Sequence, residues 1–107
     1  MPERIRLQRT KGWRIPPGTI KCDRSGRWGN PYRIGGRDHH NDIIEDGADA
    51  KAAYQAYIDD MLDAEAMGIT MTYLDEMRAA LRGKNLGCWC PEDAACHVDV
   101  ILKVVND

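Results

Sequence analysis

"KNLGCWCPEDAACHVDVILKV", residues 84–104, reads as a strand, a turn and a helix in direct succession. Leu86, Cys88 and Cys90 alternate along its first part, as in a strand that buries one face, and Pro91 ends that strand. A strand followed closely by a helix is the repeating unit of α/β folds. In open α/β sheets ligands bind beyond the carboxyl ends of the strands, near helix N-termini. This stretch therefore predicts both the fold class and the location of a site.

Two further strands are predicted near the N-terminus. "RIRLQR", from Arg4 to Arg9, alternates basic and apolar residues and predicts a strand with Ile5 and Leu7 facing the core and the arginines facing outward. "TIKCD", residues 19–23, predicts a second short strand with Cys22 buried. Prolines and glycine between the two segments force a turn.

Three segments carry apolar residues at helical spacing. A stripe from Ala50 to Leu62 predicts a helix that begins with Asp49 as its N-cap and ends near Gly68. A second helix is predicted from a Thr72 cap to Gly83. A third is predicted to follow an Asp93 cap, with its stripe formed by Val98, Ile101, Leu102 and Val105.

The order strand, strand, helix, helix, strand, helix predicts a small α/β domain that occupies residues 1–107 as a single unit. We expect a sheet of three or four strands, at least partly parallel, with three helices packed on it. No apolar run approaches the roughly 20 residues needed to cross a bilayer, and the basic N-terminal segment lacks the apolar stretch of a signal peptide. These features predict a cytoplasmic protein without a membrane partner, in which cysteines stay reduced.

The net charge of −2 conceals an uneven distribution. Residues 1–37 hold ten of the fifteen Lys and Arg residues but only two acids, whereas the remainder holds five bases and fifteen acids. In a compact chain these two parts can neutralise each other, or the basic part can hold phosphate. Charge alone does not separate the two interpretations.

Three cysteines and a histidine are concentrated in residues 88–97. As a metal site, Cys88, Cys90, Cys96 and His97 would form a Cys₃His set for zinc, although the spacing lacks the usual C-x₂₋₄-C knuckle. As a reactive site, Cys96 would lie in the first turn of the last helix, where the helix dipole lowers a thiol pKa, with His97 and Asp99 as candidate catalytic partners. As a third alternative, the cysteines are core residues.

A long glycine-rich loop, residues 24–42, contains the candidate ligand-binding residues of the N-terminal half. A tryptophan among arginines can stack on a base while the arginines hold phosphate, or it can anchor the loop on the domain. The strand-end tryptophan of the C-terminal segment can also stack on a base. The candidate ligand-binding residues are Arg24, Arg27, Trp28, Gly29, Asn30 and Trp89.

Together, "KGWRIPPGT", "RWGNPY" and "LRGKNLGCWCPEDAACHVDVILKV" resemble a family of short phage and bacterial proteins catalogued as a domain of unknown function. The resemblance covers both ends of the chain and singles out residues 28–31 together with a C-terminal set. That set is Gly83, Lys84, Leu86, Cys88, Trp89, Cys90, Cys96, His97 and Asp99. The resemblance implies a shared site and a phage or prophage context, but no activity.

Three functions are consistent with these observations. The first is a protein that handles a nucleotide or nucleic acid, with zinc as a candidate cofactor. Its pocket would be formed jointly by the W-G-N-P loop (residues 28–31) and the Cys/His cluster (Cys88, Cys90, Cys96 and His97). The second is an enzyme that acts on a nucleotide or base through Cys96 or His97. The third is a phage-encoded interaction module that inhibits a host protein. The first requires the second and last strands to be parallel neighbours, so that both loops meet at one sheet edge.

Overall fold

The computed structural model of the chain describes residues 2–23, 26–38, 40–90 and 94–106. Within them it contains one sheet of three strands, all parallel, which confirms the predicted fold class. The strands are β1 (Arg4–Arg6), β2 (Thr19–Lys21) and β3 (Asn85–Cys88), and the helices are α1 (Gly47–Ala66), α2 (Thr72–Leu81) and α3 (His97–Asn106).

The last strand of the sequence lies in the middle of the sheet, in the order β1-β3-β2. Ile5 of β1 is paired with Gly87, and Ile20 of β2 is paired with Leu86. The crossover from β2 to β3 is formed by α1 and α2, as parallel pairing requires. The prediction that the second and last strands are parallel neighbours is therefore confirmed.

The helices cover the sheet face that carries Ile20, Cys22, Leu86 and Cys88, and form the main core with it. Cys22, Leu86 and the α3 residues Val98, Ile101 and Val105 are each fully buried. The predicted burial of Cys22 and the apolar stripe of the last helix are thus confirmed. No helix among the described residues has the length and apolarity needed to span a membrane.

The orientation predicted for β1 is wrong for Arg4, whereas Leu7 is buried and Arg6 and Arg9 are exposed, as predicted. Arg4 is paired with Leu86, on the helix-covered face, and its guanidinium bonds to Asp99 of α3 and to the backbone carbonyl of Ala94. Leu7 is buried on the opposite face, outside the main core, where it packs against Gly87. Alternation shows which residues share a face of a strand, but not which of the two faces packs against the helices. In β1 the face that carries Arg4 lies toward the helices, where Arg4 pairs with Asp99.

Helix ends differ from the predictions by a few residues. Asp46, three residues before the predicted cap, is the N-cap of α1, and its side chain accepts from the backbone N–H of Asp49. Asp49 in turn accepts from the N–H of Glu45, so the two carboxylates cap this end reciprocally. The end of α1 near Gly68 is confirmed. The cap of α2 is Met71, one residue before Thr72.

Helix α3 begins at His97, later than expected, so Cys96 precedes the helix instead of lying in its first turn. The N–H of Asp99 donates to the carbonyl of Cys96 at 3.1 Å, which closes the first turn on that residue. The predicted cap, Asp93, and the strand-ending Pro91 lie outside the described residues.

Gly87, in the central strand, allows Leu7 to lie directly over the backbone. A Cβ added there would meet Leu7 Cδ2 at 2.9 Å and Leu7 Cγ at 3.4 Å. We expect Gly87→Ala to lower the free energy of unfolding by about 1–3 kcal/mol through overpacking, measured by urea denaturation. The control is Gly26→Ala, where a Cβ meets nothing within 4 Å. Equal stability of the two variants would contradict this account of the sheet.

Candidate metal centre and ligand pocket

All three strands end at the same edge of the sheet because they are parallel. After β1, the N–H of Leu7 donates to the carbonyl of Cys88 at 2.7 Å; after β2, the N–H of Cys22 donates to the carbonyl of Gly87 at 2.7 Å. The segments that follow β1 and β2 therefore flank the segment that follows β3. This places three features at one edge of the sheet: the arginine- and lysine-containing residues after β1, the glycine-rich loop after β2 and the cysteines at the end of β3.

Three of the four thiols converge at this edge. The Sγ atoms of Cys88, Cys90 and Cys96 all lie within 4.8 Å of one another. A flat strand would hold the first two roughly 7 Å apart, but β3 ends at Cys88 and the chain bends at Trp89 and Cys90. Because of this bend, the two thiols are close enough to bind the same metal ion. Among the described residues, Cys88, Cys90 and Cys96 are the Cys, His or acidic side chains that lie close enough together to bind one metal ion.

The thiols also interact with one another. A hydrogen bond with the Cys96 thiol lowers the pKa of Cys88, and the same bond, followed by burial, raises the pKa of Cys96 to about 11. Burial raises the pKa of Cys90. Cys88 is therefore the first of the three to ionise, and the position of Cys96 beside a helix N-terminus does not make it an acidic thiol. The prediction of a lowered pKa at Cys96 is wrong, because the neighbouring sulfur and burial outweigh the helix end.

His97 joins this cluster to the W-G-N-P loop. The residue is 7% exposed, and its Nε2 lies 2.9 Å from the backbone oxygen of Trp28. Because a carbonyl oxygen only accepts, Nε2 donates to it, and Nδ1 faces the cysteine cluster. Nδ1 lies 3.8 Å from Cys96 Sγ. The buried Tyr54 ring packs against the imidazole in a T-shaped arrangement, with the two ring centroids 5.3 Å apart.

A pocket of about 390 Å³ opens beside the cluster. Cys88, Cys90, Cys96 and His97 form part of its wall, and Trp89 forms another part. The remaining lining residues come from the segment after β2, the glycine-rich loop, the first turns of α1 and the residue before Cys96: Asp23, Asn30, Ile34, Gly47, Ala50, Lys51 and Ala95. The pocket thus lies at the strand-end position where α/β proteins bind ligands.

Asn30 lines this pocket, but its amide is engaged with the backbone. Nδ2 donates to the carbonyl of Ala50 at 3.1 Å, and Oδ1 accepts from the N–H of Tyr32 at 2.9 Å. The side chain is 7% exposed. Asn30 therefore fastens the glycine-rich loop to α1 and shapes the pocket wall.

Trp28 and Arg27 point away from the pocket. The Trp28 ring packs against the core, 5.4 Å from the Tyr73 ring, and the Arg27 guanidinium lies over it at 4.9 Å. Arg27 also pairs with Glu76 of α2. Gly29 donates its N–H to the carbonyl of Gly26 within the loop, and the candidate Arg24 lies outside the described residues. These contacts anchor the loop on α2.

Trp89, by contrast, is 39% exposed and lies at the mouth of the pocket. Its Nε1 donates to Asp23 at 2.8 Å, which fixes the orientation of the indole. The Arg9 guanidinium lies 4.8 Å from the centroid of the ring, and the Lys21 ammonium lies 5.9 Å from it. The indole is thus an exposed, oriented ring surrounded by cations.

Asp99 forms ion pairs at this edge. Its carboxylate lies 3.1 Å from Arg4 Nη1 and 3.5 Å from Lys51 Nζ. These bonds tie the first turn of α3 to β1 and α1. They do not orient the imidazole of His97, whose Nε2 bonds the loop carbonyl instead.

Several residues of the site were not among the sequence candidates. Asp23 is the second residue after β2, so the strand-end rule contains a signal for it. Lys51 and Ile34 carry no such signal, because only the packing of α1 and the loop brings them to the cysteines. The sequence predicts only that Arg9 faces outward, and its position over Trp89 follows from the parallel pairing of β1 with β3.

Comparison with known families agrees with the resemblance noted in the sequence. The profile of a family described as a domain of unknown function, DUF4326, matches residues 5–107. The chain belongs to the DUF4326 family. No curated protein and no solved structure matches it significantly. The matched span includes every residue of the cluster and the pocket wall.

The role of Asn30 in fixing the loop can be tested by stability. Asn30→Ala removes both hydrogen bonds of a buried amide and takes from the N–H of Tyr32 its Asn30 acceptor, so we expect a loss of about 1–3 kcal/mol in the free energy of unfolding. The control is Gln55→Ala, which removes an amide that bonds only the exposed Asp59 on the same helix and should cost about 0.5 kcal/mol or less. Comparable losses in both variants would show that Asn30 is not a structural anchor.

Proposed function

We propose that this DUF4326 domain is a zinc-containing nucleotide-binding protein. Cys88, Cys90, Cys96 and His97 hold the ion, and the adjacent pocket takes the base of a nucleotide. The convergence of three thiols on the wall of a pocket is the observation that carries this proposal.

Thiol chemistry supports zinc over harder cations. Thiolates on a tetrahedral zinc ion lie roughly 3.8 Å from one another, and the three Sγ atoms need only small side-chain shifts from within 4.8 Å to reach that spacing. Soft sulfur ligands favour zinc, Cu(I) and iron–sulfur clusters and disfavour Mg²⁺ and Ca²⁺. Zinc is the simplest of these, since it needs no redox partner or assembled cluster.

His97 supplies the fourth ligand in this proposal. Sulfur and nitrogen ligands of one tetrahedral zinc ion lie roughly 3.6 Å apart, close to the 3.8 Å between Cys96 Sγ and His97 Nδ1. Metal-bound histidines commonly donate their second N–H to a backbone carbonyl, and Nε2 of His97 faces the carbonyl of Trp28. Occupation of the site would thereby hold the W-G-N-P loop against the cluster.

A base fits the chemistry of the pocket. The cavity volume lies within the ~300–1,000 Å³ range of small-molecule sites. Much of the wall is apolar, contributed by Ile34, Ala50, Ala95 and the Trp89 ring, and an indole offers a stacking surface for any base. Asp23 and Lys51 supply one charge of each sign at the wall for polar groups of the ligand.

Metal content tests the first half of the proposal. Protein purified under reducing, chelator-free conditions should carry about one equivalent of zinc by plasma mass spectrometry, and a chelator should lower its melting temperature. Cys88→Ala, Cys90→Ala and Cys96→Ala should each lose most of the metal. His97→Ala keeps three thiolates, so we expect it to bind zinc more weakly in competition with a chromogenic chelator.

The fourth cysteine provides the matched control. Cys22 is buried in the same core but lies outside the cluster, with its thiol directed to the carbonyl of Ile20. Cys22→Ala should therefore retain the full equivalent of metal. Less than a tenth of an equivalent in the parent protein, or equal loss from Cys22→Ala, would refute the zinc centre. Unchanged affinity in His97→Ala would remove His97 from the ligand set.

Filling the pocket tests the second half. Ala95 lines the cavity, so Ala95→Leu should reduce the affinity for a mononucleotide at least tenfold by steric exclusion, measured by isothermal titration calorimetry with AMP, GMP, CMP and UMP. Ala79→Leu makes the same change at an exposed position of α2 and should bind as the parent does. If none of the four mononucleotides binds the metal-loaded parent, the nucleotide assignment fails.

A further inference from the structure

Trp89 separates two concave surfaces. It lines the pocket beside the cysteine cluster, and it also lines a shallow, polar groove formed by residues 6–10. The groove belongs to the segment that leaves the carboxyl end of β1, and Arg6 and Arg9 line it. A ligand that passes over the indole can therefore contact the pocket and the groove together.

The groove continues into a row of exposed cations. Arg6, Arg9, Lys11 and Arg14 are all exposed, and we call residues 6–14 the basic segment. Within the described parts of the chain, none of these four side chains forms an ion pair. By contrast, Arg4, Arg27 and Arg78 are paired with carboxylates. The basic segment contains no acidic residue, so its positive charge is not neutralised locally.

We infer that the basic segment and Trp89 bind single-stranded nucleic acid. The four cations hold successive phosphates, the indole stacks on a base, and the strand passes over Trp89 to place one nucleotide in the metal pocket. The last of these steps rests on the proposed function of the pocket; the first two do not. Aromatic rings beside a positively charged groove are the general means of binding single strands without sequence preference.

The geometry favours a strand over the alternative anions. Four cations along nine residues exceed what one mononucleotide requires, which points to a polymer. A duplex keeps its bases stacked inside, where neither the exposed indole nor the pocket can reach them. Between the four cations lie Gln8, Thr10, Gly12, the buried Leu7 and the half-buried Trp13, so residues 6–14 present no exposed apolar side chain to insert into a lipid surface.

The test uses fluorescence anisotropy with a fluorescein-labelled twelve-residue oligothymidylate and metal-loaded protein. We expect binding that weakens with salt, with a slope of log K against log salt of about −0.7 for each phosphate contacted. Arg6→Ser combined with Arg9→Ser should reduce that slope by about 1.4 and weaken binding roughly tenfold or more at low salt. Melting temperatures of all variants check that each remains folded.

Matched controls separate a specific surface from net charge. Lys84→Ser combined with Lys103→Ser removes the same charge from the opposite edge of the sheet, where β3 begins and α3 ends, and should change binding less than twofold. Trp89→Leu should weaken binding roughly tenfold to a hundredfold. Trp89→Phe, which keeps an aromatic ring but lacks the N–H that bonds Asp23, should retain most of the affinity.

The outcomes are distinguishable from those of the metal experiment. No binding to the oligonucleotide at low salt overturns the inference, even if the protein carries one equivalent of zinc. Equal losses in the two double variants, tighter binding to a duplex of the same length, or binding to phosphatidylglycerol vesicles in place of the strand also overturn it. Salt-dependent binding that requires Arg6, Arg9 and Trp89 supports the inference, and it does so whether or not the protein holds zinc.

Discussion

The parallel pairing of β3 with both of its neighbours is the constraint on which the rest of the structure depends. Because β3 is central, the segments that leave β1 and β2 lie on either side of the segment that leaves it. Sequence separations of more than sixty residues are thereby reduced to direct contacts, such as that between His97 and Trp28. An antiparallel pairing of any one strand would send its following loop to the opposite edge and dismantle the pocket. The backbone approach at Gly87, with Leu7 packed directly over it, is part of the same constraint.

The position of the N-terminus of α3 determines where Cys96 and His97 lie relative to the other two thiols. Cys96 and His97 come immediately before and at the first residue of the helix, so their positions are set by how α3 docks. Two kinds of bond hold that end: the imidazole of His97 to the loop carbonyl, and Asp99 to Arg4 and Lys51. The first joins the cluster to the W-G-N-P loop, and the second joins it to β1 and α1. Cys96 is consequently presented to the other two thiols by a helix that is anchored on three sides.

Periodicity and element order in the sequence predict the α/β class and the three helices. The parallel arrangement of the second and last strands follows from the strand-end rule, as a requirement for their loops to meet at one sheet edge. The concentration of cysteines in residues 88–96 makes Cys88, Cys90 and Cys96 candidate ligands of one ion. Features that depend on a distant partner cannot be predicted in this way. The inward orientation of Arg4 depends on Asp99, and the closure of Trp28 onto Tyr73 depends on how α2 packs. The N-cap at Asp46 was missed for a local reason, since aspartates at positions 46 and 49 are both good caps and the apolar stripe begins only after the second.

The basic residues of the N-terminal third of the sequence fall into two groups in the folded chain. Part of the basic N-terminal third is neutralised by acids of the remainder, because Arg4 and Arg27 lie where α3 and α2 present Asp99 and Glu76. The four cations of the basic segment follow β1 beyond the sheet edge, where within the described residues no helix presents a carboxylate to them. The ion pairs of the first group tie β1 and the glycine-rich loop to α3 and α2, whereas leaving the second group solvated and adjacent to an exposed indole adds no such contact to the fold. Retaining positive charge at that edge is therefore better explained by an anionic ligand than by stability.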